Sequence, residues 1–251
     1  MLTFSGHKQL ILSCHITGVY DVNRRNTLPG DAYELVKDWI DAITSVHLHG
    51  VLFHNNLSEA TCEEHQSEFI TFVRIAHDPL FNPNVYRYFL YRNFLRDYAP
   101  AVDSFFVTDI SDVVVLMNPF LQPLFLDNPA ALFCGDEAKC LNNEWMKAHA
   151  THLRSQMADY ASYEALFAEE TLLNCGIVGG KTAIMHSFIE ALCSIHRQFN
   201  TNNQTAYTGD MGAFNYLVRT QFNKHLFHGT PVNTVFKAYQ DDRTDCWFRH
   251  K

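Results

Sequence analysis

Two carboxylates, Asp109 and Asp112, stand between apolar runs in residues 104–121 (SFFVTDISDVVVLMNPFL). The run ahead of them, FFVT, is typical of a short buried strand, and the run behind them ends at a turn signal, Asn118-Pro119. Unpaired charge at the end of a buried strand is costly. A divalent cation that bridges both carboxylates to a phosphate would stabilise them. The alternative is that one aspartate caps the next element while the other pairs with an arginine.

Arginines that could meet such a phosphate occur in two places. Arg24 and Arg25 follow the first predicted strand, where they could hold a phosphate or a base edge, or could simply be solvated. Arg87, Arg92 and Arg96 lie on a predicted helix, residues 84–98, that leads into the FFVT strand. One of these three could face a diphosphate or orient Asp109, which leaves the other two on the surface.

Three further segments carry candidate side chains. The sequence NCGIVGG, residues 174–180, ends a predicted strand with small residues, which suits the close approach of a ligand and equally suits a tight turn. Asp210 follows Gly209 at the start of a predicted helix, where a plain N-cap would explain it. His250, near the end of the sequence, is neutral at pH 7 unless perturbed and can therefore bind a metal ion.

The elements expected to position these residues alternate between strands and helices. Predicted strands cover residues 10–16, 49–53, 69–75, 105–108, 130–135 and 172–178, and predicted helices cover residues 32–46, 84–98, 142–166, 182–199 and 210–218. Asp31 is the predicted N-cap of the first helix. The alternation predicts an α/β sandwich around a mostly parallel sheet. Ligands of such sheets bind at the carboxyl ends of strands, where residues 17–25, 109–112 and 174–180 form polar clusters.

Composition narrows the choice of partners. The 251 residues suit one large domain, and the net charge of −8 argues against a nucleic-acid or anionic-membrane surface as the main partner. The longest apolar runs are too short to span a bilayer. Seven cysteines without paired spacing argue against a disulfide framework and predict a cytoplasmic location. Dehydrogenase, P-loop, serine-hydrolase and zincin signatures are missing from the sequence.

Taken in order, these motifs resemble a nucleotide-sugar-dependent glycosyltransferase of the GT-A fold, a three-layer α/β sandwich. The resemblance is to the small single-domain enzymes of bacteria and large DNA viruses, and it extends from about Leu10 to the end. It implies one domain, with a nucleotide-binding half of about residues 1–120 and an acceptor-side half of about residues 121–251. The metal motif of this chain reads DISD where many such enzymes have Asp-x-Asp, so either aspartate could be the direct ligand.

The resemblance also implies roles for individual residues. A Mn²⁺ or Mg²⁺ ion would be bound by Asp109, Asp112 and His250, with Asp109 also near the donor. The nucleotide-diphosphate sugar would contact Thr17, Asp21, Arg24, Arg25, Arg92 and Lys251, the last beside the diphosphate. The donor-sugar and acceptor side would be lined by Asn174, Gly179 and Gly180. Asp210 falls where inverting enzymes keep their catalytic carboxylate, which favours inversion, although Gly-Asp-Met replaces the acidic pair of many relatives.

Two other functions fit parts of the same pattern. A sugar nucleotidyltransferase shares the α/β layout and the acidic metal site but normally carries a glycine-rich basic loop after its first strand. The corresponding segment here, TGVYDVNRRN, has one glycine. A non-catalytic module that binds a nucleotide or a sugar would keep the fold without the chemistry, and the retained acids and histidine argue against it.

Overall fold

The computed structural model describes residues 6–21, 26–199 and 209–251. The strands are β1 (Gln9–His15), β2 (Tyr20–Asp21), β3 (Asn26–Thr27), β4 (His49–His54), β5 (Ile70–Arg74), β6 (Ser104–Thr108), β7 (Val113–Val115), β8 (Leu132–Cys140), β9 (Thr171–Lys181), β10 (Leu226–His228) and β11 (Phe248–His250). The α-helices are α1 (Glu34–Ser45), α2 (Glu59–His65), α3 (Pro83–Tyr98), α4 (Pro123–Leu126), α5 (Glu144–His149), α6 (Thr151–Gln156), α7 (Tyr160–Leu166), α8 (Thr182–Phe199) and α9 (Asp210–Leu217). Short 3₁₀ turns cover Ala99–Ala101, Pro119–Leu121 and Asn223–His225, and a π-helical turn covers Val218–Phe222.

The predicted α/β sandwich around a mostly parallel sheet is confirmed. The central sheet has the order β10-β8-β9-β6-β1-β4-β5 among the described residues. The pairs β5–β4, β4–β1, β1–β6 and β10–β8 are parallel, whereas β9 is antiparallel to both β6 and β8. Hydrophobic clusters cover both faces of this sheet. The strands buried on both faces explain the continuous apolar runs in the sequence.

The reversed direction of β9 corrects the prediction for residues 174–180. This strand continues to Lys181, so Gly179 and Gly180 lie inside it and pair with Phe106 and Phe105 of β6. Its first half lies at the edge where β6 ends, because Ile177 pairs with Thr108. The polar residues near the start of β9 therefore reach the same edge as Asp109, and the two glycines run away from that edge.

Helix boundaries follow local patterns in most places. Helix α8 has the predicted limits of residues 182–199, with its apolar residues turned to the core. The predicted N-cap of α1 is wrong, because α1 begins at Glu34 after Tyr33. The Asp31 carboxylate instead accepts a hydrogen bond from the Ser58 N–H at 2.9 Å, at the start of α2. This hydrogen bond from Ser58 to Asp31 stabilises the loop that follows β4.

The last residues return to the site edge as an added strand. Strand β11 pairs antiparallel with β7, and His250 lies opposite Val113. The Lys251 N–H donates to the Asp112 carbonyl at 2.7 Å, and the His250 N–H donates to Thr234 Oγ1 at 3.1 Å. This pairing carries His250 to the loop that holds Asp109 and Asp112. None of the helices in the described ranges has the length and apolar character that a bilayer crossing requires.

Candidate functional site

Asp109, Asp112 and His250 converge at the end of β6. Their ligand atoms lie within 4.8 Å of one another, and His250 Nε2 is 4.0 Å from Asp112 Oδ2. The two carboxylates are about one-third exposed, at 32% and 37%, whereas the His250 side chain is 1% exposed. Because these three residues could together hold a metal ion, we call them the metal-ligand cluster. Two carboxylates with one imidazole suit a hard to borderline divalent cation, and the imidazole favours Mn²⁺ over Mg²⁺.

Gly176 of β9 makes this convergence possible. A Cβ on Gly176 would lie 2.7 Å from Asp109 Oδ2, 2.8 Å from His250 Cε1 and 2.9 Å from Asn174 Oδ1. Any side chain there would displace one of these groups, so the backbone of β9 forms the floor of the cluster. The Asp109 N–H donates to the Gly176 carbonyl at 2.7 Å, which fixes Asp109 against that floor.

Asn174 lies beside the metal-ligand cluster, and Glu137 of β8 holds it there. Asn174 Oδ1 accepts from the Gly176 N–H at 2.7 Å, and Asn174 Nδ2 donates to Glu137 Oε1 at 2.9 Å. Glu137 is 6% exposed, and its other carboxylate oxygen lies 3.5 Å from Lys139. These two hydrogen bonds therefore distinguish the oxygen from the nitrogen of the Asn174 side-chain amide.

Arg87 of α3 is the arginine that orients Asp109. Its Nη1 donates to Asp109 Oδ1 in an ion pair, and its Nη2 lies 3.4 Å from both the carbonyl oxygen and Sγ of Cys175. Arg87 is 8% exposed, so the pair is shielded from solvent on the arginine side. Burial acts against the charge of Arg87, but the Asp109 carboxylate, together with Tyr88, Cys175 and Tyr91, raises the pKa of Arg87 well above its usual value.

The imidazole of His250 is held in its neutral form. Burial lowers the pKa of His250 to about 4, although the Asp109 carboxylate acts in the opposite direction. The charges of Lys237 and Arg87 lower it further. A neutral imidazole has a free lone pair at neutral pH, as a metal ligand requires.

A cavity of about 300 Å³ opens beside the metal-ligand cluster. It is lined by the end of β1 and the loop after it, by the first turn of α3, and by residues 109–112. Asn82 caps α3 by accepting from the Asn84 N–H, and Tyr20, which is 58% exposed, also lines the cavity. The cavity therefore joins an aromatic surface, a helix N-terminus and the acidic cluster.

Of the donor-binding residues predicted in the loop after β1, Thr17 is the one whose side chain the structure describes. Thr17 is 1% exposed, and its Oγ1 donates to the Gly30 carbonyl at 3.3 Å. Asn55 and Asn56 both donate to the Thr17 carbonyl at 2.9 Å. Thr17 thus holds the loop in place instead of offering its hydroxyl to a ligand. Arg24, Arg25 and the side chain of Asp21 lie outside the described residues.

Arg92, Gly179 and Gly180 do not reach the site. Arg92 Nε lies 4.0 Å from Glu190 of α8, and its guanidinium stands 5.9 Å above the Phe89 ring, so it joins two helices. A Cβ on Gly179 would lie 2.2 Å from the Phe106 ring, and one on Gly180 would lie 2.8 Å from the Ala131 carbonyl. The two glycines are required by packing inside the sheet, which corrects their predicted place beside a ligand.

The lysine whose charge acts on His250 is Lys237, whereas the predicted Lys251 is engaged elsewhere. Lys251 Nζ forms an ion pair with Asp38 of α1 at 2.7 Å. Lys237 is exposed, with φ of 60°, and its Nζ lies 4.9 Å from the centroid of the Phe236 ring. That ring packs 4.4 Å from His250. Within the described ranges Lys237 has no carboxylate partner, and a left-handed backbone at a non-glycine residue is a strained conformation that recurs at functional sites.

Asp210 lies on the opposite face of β9, within a second group of titratable side chains. Its Oδ1 is 3.4 Å from His149 Nε2, and Cys175 Sγ is 3.8 Å from its Oδ2. Its charge also acts on His196 of α8. All four residues are buried. We call Asp210, His149, Cys175 and His196 the buried cluster.

The buried cluster and the metal-ligand cluster are joined by Arg87, which contacts both Asp109 and Cys175. Burial lowers the pKa of His149, and Asp210 acts in the opposite direction. Burial likewise lowers the pKa of His196 to about 4. The two imidazoles are therefore neutral at neutral pH, which leaves Asp210 as the acidic member of the group.

Sequence reasoning missed Glu137, His149 and Lys237. Glu137 and His149 stand in segments whose pattern offers no catalytic signal, and only strand pairing and helix packing bring them to the site. Lys237 lies in a loop that has neither strand nor helix periodicity. A charge next to an aromatic residue, as in VFKAY, is too common a pattern to have singled it out.

The sequence matches no protein family model and no curated protein sequence. In fold the chain is similar to the galactosyltransferase LgtC in complex with donor and acceptor sugar analogues, with a TM-score of 0.53 at 13% identity over 96% of this chain and 86% of that chain. The structure of an active-site mutant of LgtC matches with the same values. A glycosyltransferase involved in glycosylation of the major capsid of PBCV-1 gives a TM-score of 0.48 at 14% identity over 96% of this chain and 91% of that chain. The chain has a GT-A-type glycosyltransferase fold, as the motifs in its sequence predict.

Proposed function

We propose that the protein is a metal-dependent glycosyltransferase that moves a sugar from a nucleotide-diphosphate sugar to an acceptor hydroxyl. The observation that carries this proposal is the metal-ligand cluster, which borders a cavity of about 300 Å³ at the carboxyl edge of a mostly parallel sheet. Ligands of open α/β sheets bind at that edge. The GT-A-type fold supports the same function.

The residues of the site would have different roles in binding the donor and in the departure of its diphosphate. A divalent cation bound by Asp109, Asp112 and His250 would act as a Lewis acid on the departing diphosphate. Arg87 holds Asp109 in position, and Lys237 offers a positive charge near His250. The exposed Tyr20, which lines the cavity, offers a stacking surface for a nucleotide base. Lys251 supports the site indirectly, through its backbone bond to Asp112 and its ion pair with Asp38.

The acceptor side of the proposal rests on Asp210. An inverting transferase needs a carboxylate that takes the proton of the acceptor hydroxyl on the face opposite the diphosphate. Asp210 is a carboxylate separate from the metal-ligand cluster and linked to it through Cys175 and Arg87. We therefore propose inversion, with residues 1–120 serving the donor and residues 121–251 serving mainly the acceptor. The cytoplasmic location expected from the cysteine pattern stays a prediction.

Donor binding can be tested before any acceptor is known. Thermal unfolding would be followed with UDP-, GDP-, dTDP- and CMP-sugars, each with Mn²⁺, with Mg²⁺ and with EDTA, because a bound ligand raises the melting temperature by mass action. Release of the nucleotide would be measured in the same mixtures. We expect a cation-dependent shift and slow hydrolysis with one nucleotide class.

The other outcomes separate the remaining functions. A shift without release of the nucleotide from any sugar donor would identify a binding module. Formation of pyrophosphate from a nucleoside triphosphate and a sugar phosphate would identify a nucleotidyltransferase. No shift in the presence of either cation would contradict the donor site itself. Where transfer is found, the anomeric configuration of the product, measured by NMR, tests inversion, and a retained configuration would remove the role of Asp210 as a base.

A further inference from the structure

A second cavity, of about 360 Å³, lies among α5, α6 and α7, in the segment that joins β8 to β9. None of the residues that line it also lines the cavity beside the metal-ligand cluster. The proposed transfer assigns no role to any of them. A cavity of a few hundred Å³ is large enough for a small organic molecule, so the chemistry of its lining indicates what it could bind.

The lining combines an apolar part with charged side chains. Its apolar part consists of Leu141, Ala165 and Ala168. Its charged side chains are those of Lys147, Arg154 and Glu164. Two cations and one carboxylate leave one net positive charge on the lining, although the whole chain carries a net charge of −8. Positive charge beside apolar surface suits a ligand that has an anionic group on an apolar body.

Arg154 is held so that one of its nitrogens stays available to a ligand. Its Nε and Nη2 each donate to the Glu164 carboxylate at 2.6 Å, and Nη2 also donates to the Lys147 carbonyl at 3.2 Å. Nη1 of Arg154 has no hydrogen-bond partner within the described residues. A guanidinium fixed along one edge presents its remaining N–H groups in a defined direction. Arg154 can therefore bind an oxyanion and keep its pair with Glu164.

Lys147 and Asn142 add two donor side chains at the same cavity. Lys147 Nζ is 2.9 Å from Glu144 Oε1, in an ion pair whose side chains are 49% and 91% exposed. Exposed pairs contribute little to stability, so Lys147 can turn to another anion at small cost. The Asn142 N–H donates to the Ala168 carbonyl at 3.0 Å, and in the part of the chain that the structure describes its side-chain amide makes no hydrogen bond. Three side chains with donors thus line one cavity.

We propose that this cavity is a second ligand site, which binds a small organic molecule through one oxyanion, a carboxylate or a phosphate. The oxyanion would accept hydrogen bonds from Arg154, Lys147 and Asn142, while the body of the molecule would cover the apolar part of the lining. Hydrogen bonds between a cationic donor and an anionic acceptor are shorter and stronger than neutral ones. This inference does not depend on the proposed transferase function, because the two sites share no residue.

A ligand in this cavity would also hold the surrounding helices together. Helices α5 and α6 have six residues each, and helices of that length are not stable on their own in water. A ligand bound by Lys147 of α5 and Arg154 of α6 joins the two helices. His149, which contacts Asp210, lies on α5 two residues after Lys147. We therefore expect a bound oxyanion to slow amide hydrogen exchange in residues 144–166.

Calorimetric titration of the full chain in EDTA tests this site, because EDTA removes the cation on which the donor site is proposed to depend. The probes are phenyl phosphate, benzoate, inorganic phosphate and benzylamine. We expect saturable binding of phenyl phosphate or benzoate, weaker binding of inorganic phosphate, which lacks the apolar body, and no binding of the benzylamine cation. The comparison of phenyl phosphate with benzoate shows whether the site prefers a phosphate or a carboxylate.

Two substitutions distinguish this cavity from other parts of the surface. Lys147→Gln should weaken binding of the preferred probe about fivefold to tenfold, through loss of one charged contact. Ala165→Phe should abolish binding, because the larger side chain fills the cavity without a change of charge. Lys224→Gln, at an exposed lysine outside the cavity, is the matched control for charge and should bind the probe as the wild type does.

The opposite results would overturn the second site. They are absence of binding by every anionic probe, equal affinity for benzylamine and benzoate, and equal binding of the probe by Lys147→Gln and Lys224→Gln. Full binding by Ala165→Phe, or slower hydrogen exchange at residues 82–87 in place of residues 144–166, would place the probe elsewhere and overturn it as well. Failure of every nucleotide sugar to shift the melting temperature would contradict the proposed function and leave these results unchanged.

Discussion

The metal-ligand cluster and the buried cluster use the same residue types, carboxylates and histidine, on opposite faces of β9. In the first, the two carboxylates are about one-third exposed and border a cavity. In the second, Asp210 is 6% exposed and is surrounded by side chains of α5, α8 and β9. The difference shows that residue types alone do not distinguish a candidate cation site from a buried hydrogen-bonded group. Access to solvent decides which carboxylates can exchange water for a metal ion.

Substitution of an exposed ligand tests the metal-ligand cluster most directly and should have the largest effect. Asp112→Asn keeps the size of the side chain and removes its charge, so we expect Mn²⁺ binding and metal-dependent nucleotide release to fall by about 1,000-fold, which corresponds to several kcal/mol of leaving-group stabilisation. Titration calorimetry with Mn²⁺ alone measures the binding. Asp97→Asn, at an exposed carboxylate of α3, is the control. Equal Mn²⁺ affinity in both variants would contradict the cluster as a metal site.

A substitution in the buried cluster should lower the rate of sugar transfer and should change donor binding much less. Asp210→Asn should lower kcat for transfer by about 100-fold if Asp210 is the general base. The donor melting-temperature shift should stay within the range of the wild type. Glu137→Gln supplies the comparison, because Glu137 is as buried as Asp210 and contacts Asn174 and Lys139. A larger loss in Glu137→Gln than in Asp210→Asn would transfer the role of base to Glu137.

Arg87, which links the two clusters, should contribute to stability as well as to activity. Arg87→Met removes the ion pair with Asp109 and the contacts with Cys175 while filling much of the same volume. Breaking a buried pair by removing one partner costs about 3–5 kcal/mol. Asp109 is partly solvated, so we expect a smaller loss of about 2 kcal/mol in the free energy of unfolding, measured with urea. The double variant with Asp109→Asn should lose less than the sum of the two single variants, and a fully additive result would show that the two side chains are not coupled.

The smallest expected effect is a change in the pH dependence of stability. Burial lowers the pKa of His196 to about 4, so the folded protein keeps this imidazole neutral while the unfolded chain protonates it below its ordinary pKa of about 6.5. The contribution of His196 to stability is therefore present above pH 6.5 and is lost as the pH falls toward 4. His196→Leu should flatten the slope of unfolding free energy by about 1.4 kcal/mol per pH unit in that window.

His186→Leu is the matched control for this pH experiment, because His186 is an exposed residue of the same helix. It should leave the slope between pH 6.5 and 4 as it is in the wild type. An unchanged slope in His196→Leu would mean that His196 does not titrate on unfolding as its burial implies.

Local pattern was sufficient for most elements and for the position of the acids. Strand β6 and helix α8 could be predicted because a buried apolar run and a helical apolar period are properties of neighbouring residues. Asp109 and Asp112 could be placed at a strand end for the same reason. The arrangement of His250 beside them follows from the resemblance and from the pairing of β11 with β7.

The contacts of individual long side chains were less predictable from the sequence than the positions of the elements that carry them. Of the three arginines on α3, Arg87 faces Asp109 while Arg92 faces Glu190, and the direction in which each points depends on how the helix packs. The same applies to Asp31, which binds the backbone before α2 instead of capping α1. The sequence around a long side chain does not indicate which of several nearby groups that side chain will contact.

By itself, the sequence determined most of the longer strands and helices and which acids stand at the end of a buried strand, because these depend on residues close together in the chain. Only the tertiary structure decided that β9 runs antiparallel, since the alternation of side chains is the same in either direction. That direction brings Asn174 and Gly176 to the site and takes Gly179 and Gly180 away from it. It also decided that Lys237, and not Lys251, carries its free charge near His250, because an ion pair with a distant helix engages Lys251.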